Sequence, residues 1–190
     1  MICVSGKPID YKAYYYYLLN KPAGYVSATE DPRDETVIDL LMQMDRNKEL
    51  FPVGRLDKDT EGLLVLTNNG KLAHDLLSPK KHVDKVYYAK IDGYVTEETK
   101  ANFAAGVNIG TDEQEEMTMP ASLEIIKAGE KSEIRLTIQE GKFHQVKRMF
   151  ESQGMKVTYL KRESMGSLKR DDNLQKGEYR ALSEKELEVL

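Results

Sequence analysis

The 190-residue chain reads as an α+β sheet protein. Three observations lead there. Stretches of strand composition outnumber helical ones and come in runs instead of strict β-α alternation. No Gly-rich phosphate loop of either standard spacing is present, which argues against a doubly wound nucleotide binder. The balance of 40% hydrophobic and 32% charged residues is that of a globular chain with enough length for a real core.

The elements follow in order. "YYYYLLN" (14–20) has strand composition and stops at the turn signal Lys21-Pro22-Ala23-Gly24. Adjacent tyrosines put rings on both faces, so two-sided burial is expected over a nucleic-acid platform. "TVIDLLMQM" (36–44) has helical spacing, and "GLLVLT" (62–67) is a short apolar run of interior-strand type. "NNGKLAHDLLS" predicts a turn and short helix ended by Pro79, and "KVYYAKIDG" (85–93) alternates as a strand. Thr96 caps "EETKANFAA", with Gly106 just past its end. "ASLEII" and "EIRLTI" predict a strand pair joined by "KAGEKS". "KFHQVKRMFESQG" fits an amphipathic helix with Phe143, Val146, Met149 and Phe150 on one face. "KVTYLKR" is a strand, and "SEKELEVL" closes as a short helix whose Ser183 and Glu186 make a capping box.

Composition bounds the function classes. No apolar run approaches the ~18 residues of a membrane span, and the N-terminus lacks the order of a secretory signal, so a cytoplasmic protein is expected. The single cysteine, Cys3, excludes an internal disulfide and a Cys-based zinc cluster. Net charge is −4, but Lys127 to Arg170 holds 11 Lys/Arg against 5 Asp/Glu, a local +6 suited to an anionic partner. The three histidines, His74, His82 and His144, sit in distant segments and are read as non-ligands, so no metal is expected.

"DKDTEGLLVLTN" (57–68) crowds Asp57, Asp59 and Glu61 into five residues. A calcium loop would want a bidentate Glu at its twelfth position, where Asn68 stands, and an entering helix where Pro52 and Gly54 stand. A solvated turn neutralised by Lys58 or Arg55 is the plain alternative. It leaves "GRLD" unexplained, because Arg55 and Asp57 alternate along an extended stretch and project to one side, with Leu56 facing away. An aspartate held there needs a cation or several donors nearby.

A third reading comes from resemblance. "GRLDKDTEGLLVLTNNG" closely resembles the signature of the RsuA-type pseudouridine synthases, bacterial enzymes that modify ribosomal RNA. "YYLLNKPAGYVSA", "KVYYA", "EGKFHQVKRMF" and "GEYRAL" resemble further blocks of that family, in the family's order, from about residue 14 to 190. The resemblance implies the pseudouridine-synthase fold, a curved, mixed and mainly antiparallel sheet in two lobes with flanking helices and a central basic cleft, and isomerisation of a uridine without a cofactor. It implies Asp57 as catalytic aspartate, Tyr87 as the ring packing on the target base, and Lys147 as the cation paired with Asp57. Arg55 would lie beside the flipped nucleotide, and Tyr88 should point the opposite way from Tyr87.

Lys142, Arg148, Lys161 and Arg162 are expected to bind backbone phosphates, with His144 and Gln145 also on the RNA face. The forms "HQVKRM", "MPASLEII" and "GEYRAL" are nearer the small-subunit (16S) enzyme than the large-subunit (23S) relatives. The expected partner is therefore ribosomal RNA, in a partly assembled small subunit, with the protein a monomer. A non-catalytic RNA-binding assembly factor of the same fold is the alternative from another class. "MICVSGKPID" resembles the tail of the S4-type domain that precedes the catalytic domain in relatives, giving residues 1–10 as remnant or linker and 11–190 as the catalytic domain.

Overall fold

The structure, a computed structural model, describes residues 2–4, 7–9 and 13–190, with side chains from residue 13 onward. Of the expected remnant or linker at residues 1–10, positions 1, 5, 6 and 10 lie outside the described residues. What is described there is β1 (Ile2–Val4) paired antiparallel with β2 (Lys7–Ile9).

The remaining strands form one nine-stranded sheet. In chain order they are β3 (Tyr16–Lys21), β4 (Phe51–Pro52), β5 (Glu61–Thr67), β6 (Lys85–Asp92), β7 (Ser122–Lys127), β8 (Lys131–Ile138), β9 (Lys156–Met165), β10 (Leu168–Lys169) and β11 (Tyr179–Ala181). Five helices flank them: α1 (Gln43–Arg46), α2 (Gly70–Leu77), α3 (Glu97–Ala105), α4 (Gln145–Glu151) and α5 (Glu184–Glu188). None of these is long and apolar enough to cross a membrane.

The strand order is β11-β3-β5-β9-β6-β8-β7, with β4 on β5 and β10 on β9. Every pairing is antiparallel except β5 with β9, which is parallel and spans only Glu61↔Lys161 and Gly62↔Arg162. That short seam joins two antiparallel halves. Gly62 permits it: its φ is +103°, and a Cβ there would stand 2.2 Å from the Arg162 carbonyl oxygen.

One core runs under both halves. Leu19, Leu64 and Leu66 pack with Ala89, Ile91, Ile134 and Leu136, and the layer is closed by Phe103 of α3 and Phe150 of α4, whose rings meet edge to face at 5.0 Å. A second core lies mainly behind the first half, where Leu18, Leu63 and Val65 meet Ala73 and Leu76 of α2, and it reaches Met165 at the end of β9 and Leu168 of β10. This explains why every residue of β5 is buried while β6 and β8 alternate.

Two sequence expectations give way. Residues 36–44 do not form one helix: a single 3₁₀ turn (Val37–Leu40) ends, and α1 begins at Gln43. Arg46 of α1 caps the interrupted turn, its Nε donating to the Leu41 carbonyl at 2.8 Å. The "KFHQVKRMF" helix also starts late, at Gln145. His144 takes a left-handed conformation (φ 46°, ψ 37°), so Phe143 is swung out of the apolar face and into solvent.

Candidate active site

The seam between the halves carries the site. Asp57 lies in the loop leading into β5, and the Thr60 N–H donates to its carbonyl to close a turn. The loop is fastened from below by Lys21, the last residue of β3. Its ammonium is fully buried and lies within 3.2 Å of the carbonyl oxygens of Pro22, Asp57, Lys58 and Thr60. Burial pulls the Lys21 pKa down to about 8, against the raising influence of Asp59, Asp57 and Glu61. Composition gave no hint of this residue; the only signal was its place in "LNKPAG".

The three carboxylates diverge. Asp57 and Asp59 share one cation: Lys147 Nζ of α4 is 3.1 Å from Asp57 Oδ2 and 2.7 Å from Asp59 Oδ1. Burial acts to lower the Lys147 pKa, but hydrogen bonds and charge from Asp59 and Asp57 outweigh it and hold the ammonium protonated. Asp59 is likewise held below the usual carboxylate range, with its own burial opposing and Lys147 prevailing. Glu61 turns to the other side of the sheet, accepting from Tyr159 at 2.7 Å and Lys176 at 2.9 Å. Lys58 pairs outward with Asp34 at 2.6 Å instead of neutralising the cluster. Among the described residues no group of His, Cys, Asp and Glu is arranged to hold a metal ion.

Asp57 opens onto a hollow lined by Arg55, Tyr87, Lys142, His144, Lys147 and Leu160, among others. Tyr87 belongs to the buried face of β6 and forms an apolar wall. Tyr88 points to the opposite face, as alternation requires, and donates to Glu133 at 2.8 Å. His144 Nε2 lies 3.4 Å from Asp57 Oδ1, so the carboxylate has an imidazole on one oxygen and an ammonium on the other. The hollow is open to solvent and measures roughly 70 Å³.

The structure thus brings Asp57, Tyr87, Lys147, Arg55, Lys142 and His144 together. Gln145 also lines the hollow, but its amide is buried and occupied: it accepts from Lys142 N–H and donates to Glu140, which accepts from Met119 N–H. These bonds tie the turn at Lys142 to the start of α4. Arg148 is tied to the carbonyls of Ile109 and Phe143 and to Glu116, which engages most of its N–H donors within the protein. Arg162 is only 2% exposed and donates to the Leu63 carbonyl beneath the seam, where no phosphate reaches it. Lys161 lies on the sheet face opposite Tyr87, 5.3 Å from the centre of the Tyr88 ring.

A family model described as RNA pseudouridylate synthase matches residues 15–152. The chain belongs to this family. It is therefore an isomerase acting on RNA. The chain is 49% identical, over its full length and 78% of the relative's, to a Bacillus subtilis protein described as an uncharacterized RNA pseudouridine synthase, YtzG. It is 43% identical to ribosomal small subunit pseudouridine synthase A of Salmonella typhimurium and 42% identical to that of Escherichia coli K12, in each case over 90% of this chain and 72% of the relative. A crystal structure of a pseudouridylate synthase superposes with a TM-score of 0.85 at 38% identity, covering 95% of this chain and 75% of that one. The archaeal Nop10–Cbf5 complex gives 0.59 at 18% identity, a likeness of fold alone.

Proposed function

We propose that the protein converts a uridine of ribosomal RNA, in the 16S small-subunit RNA, to pseudouridine, with Asp57 as the catalytic carboxylate. The observation that carries this reading is the carboxylate of Asp57 at the mouth of β5, ion-paired to Lys147 at 3.1 Å beside the apolar wall of Tyr87. The choice of RNA is supported by the two relatives named for the small ribosomal subunit. Action on ribosomal RNA makes the cytoplasm its working compartment.

The reaction breaks the bond from ribose C1′ to N1, turns the uracil, and joins C1′ to C5. N1 ends protonated and the C5 proton leaves, so nothing is oxidised or reduced. A carboxylate serves as nucleophile at the sugar or as base toward it, and in both roles it must be ionised. Lys147 places a positive charge 3.1 Å from one carboxylate oxygen. The Tyr87 ring offers the uracil a flat apolar surface while it turns. Reaching the base means extruding it from its stack at a cost of about a few kcal/mol. Arg55, Lys142 and His144 ring the opening, where Arg55 suits a stacking wedge or phosphate clamp.

The test is tritium release from C5-labelled uridine in 16S transcripts and in partly assembled small subunits. The wild-type protein should release tritium, and Asp57→Asn should lose that activity while still binding RNA. Equal release from both would remove Asp57 from catalysis. Mapping pseudouridine in ribosomal RNA from cells with and without the protein identifies the subunit and the site.

A further inference from the structure

Among the described residues Phe143 is the most exposed large apolar side chain, with 73% of its surface open. It adds nothing to the core, yet the backbone that carries it is held from three directions. Arg148 Nη1 donates to the Phe143 carbonyl at 2.8 Å. The Lys142 N–H donates to the buried Gln145 amide at 3.0 Å, and Gln145 donates to buried Glu140 at 2.9 Å. His144 sits in the left-handed region, which a side chain other than glycine seldom adopts without a reason. A loop of indifferent purpose has no use for this rigidity.

The ring is also aimed. It stacks on the His144 imidazole with centroids 3.8 Å apart and planes 18° from parallel. His144 in turn reaches Asp57 at 3.4 Å. Carboxylate, imidazole and phenyl therefore form a ladder leading out of the hollow, and its outermost rung is open to solvent. Arg55 and Lys142 stand at the same rim. A flat apolar face beside cations, at the mouth of the hollow, fits the base of a single strand whose phosphates are held nearby.

We propose that Phe143 is a stacking platform for the RNA base next to the nucleotide that enters the hollow. The proposal rests on the reading that this hollow receives a uridine of RNA. Stacking tolerates any base, so the platform guides the path of the strand and holds the splayed neighbour in place; it does not read sequence.

The chain contains no tryptophan, so Phe143→Trp keeps a stacking ring and makes it a lone fluorescent reporter. With a 16S transcript as substrate, Phe143→Ala should raise KM about tenfold, the loss of roughly one stacked base, and leave kcat within about twofold. Phe143→Trp should keep a KM near wild type, and its emission should be quenched when an oligouridylate binds, with binding followed by anisotropy of an end label on the RNA. An unchanged KM in Phe143→Ala overturns the proposal, as does bound RNA with unaltered tryptophan emission. Quenching by RNA from a protein that forms no pseudouridine would uphold the platform and sink the functional reading, so the two failures are distinct.

Discussion

The two halves of the sheet are covered differently, and each kind of cover leaves its own mark on the sequence. The β11-β3-β5 half is sandwiched, with the shared core on one face and the α2 layer on the other, so β5 is buried throughout. The β9-β6-β8-β7 half has helices on one face only, and its other face presents Tyr88, Lys90, Glu133, Arg135 and Lys161 without burying any of them fully. The second half supplies the tyrosine wall and, through α4, the cation. The acid stands where the two meet. Chemistry at the edge of a well-buried strand gains rigidity from one side and access from the other.

The seam is the place to break this arrangement. Gly62→Ala should have the largest effect, about 4 kcal/mol of destabilisation in chemical denaturation, because it forces a side chain into positive φ and against the Arg162 carbonyl. A loss under about 1 kcal/mol would mean that the halves are not bound by this contact. A paired measurement sharpens the contrast in cover. Leu63→Ala, inside the second core, should cost about 3 kcal/mol. Tyr88→Ala, on the open face, should cost about 1 kcal/mol, chiefly its bond to Glu133. Equal costs would erase the distinction between a covered and an open face.

The smallest effect is expected at the far edge of the first half. Arg180 of β11 holds Glu186 of α5 at 2.8 Å, and that contact, with the Ser183 backbone N–H helping, brings the Glu186 pKa down to about 2. The folded carboxyl is thus more acidic than in the unfolded chain. Its stabilisation is complete above about pH 4.5 and fades as pH falls toward 2. The pair is partly exposed, so Glu186→Gln should cost only ~1 kcal/mol at neutral pH and flatten the acid limb of the stability curve. A limb unchanged in Glu186→Gln would assign that acid sensitivity to other carboxylates.

Much of this was legible in the residues. The continuous apolar run of β5 and the alternation of β6 declare their cover directly, and the motif order pointed to Asp57, Tyr87 and Lys147, which the fold brings to one hollow. What sequence missed was conformational or long-range. The spacing of Phe143 to Val146 and Phe150 is helical, but spacing cannot reveal that His144 adopts positive φ and expels the ring. Arg162 looked like a phosphate ligand because it is an arginine in a basic stretch. Its two-residue spacing from buried Leu160 already put it on the inner face, and that parity outweighs its charge. Arg148 is engaged by Ile109 and Glu116, far along the chain, which no local pattern announces, whereas Gln145 is engaged by its near neighbours Glu140 and Lys142.

The fastening of the Asp57 loop by Lys21 has a consequence for how the protein tolerates change. All four acceptors of that ammonium are main-chain oxygens, so the anchor is indifferent to which side chains stand at positions 58 and 60. Thr60 bears this out on a small scale, since its hydroxyl is buried without a hydrogen-bond partner among the described residues. Substitutions can drift through the loop while its curvature stays put, with a single lysine one strand away as custodian of the shape.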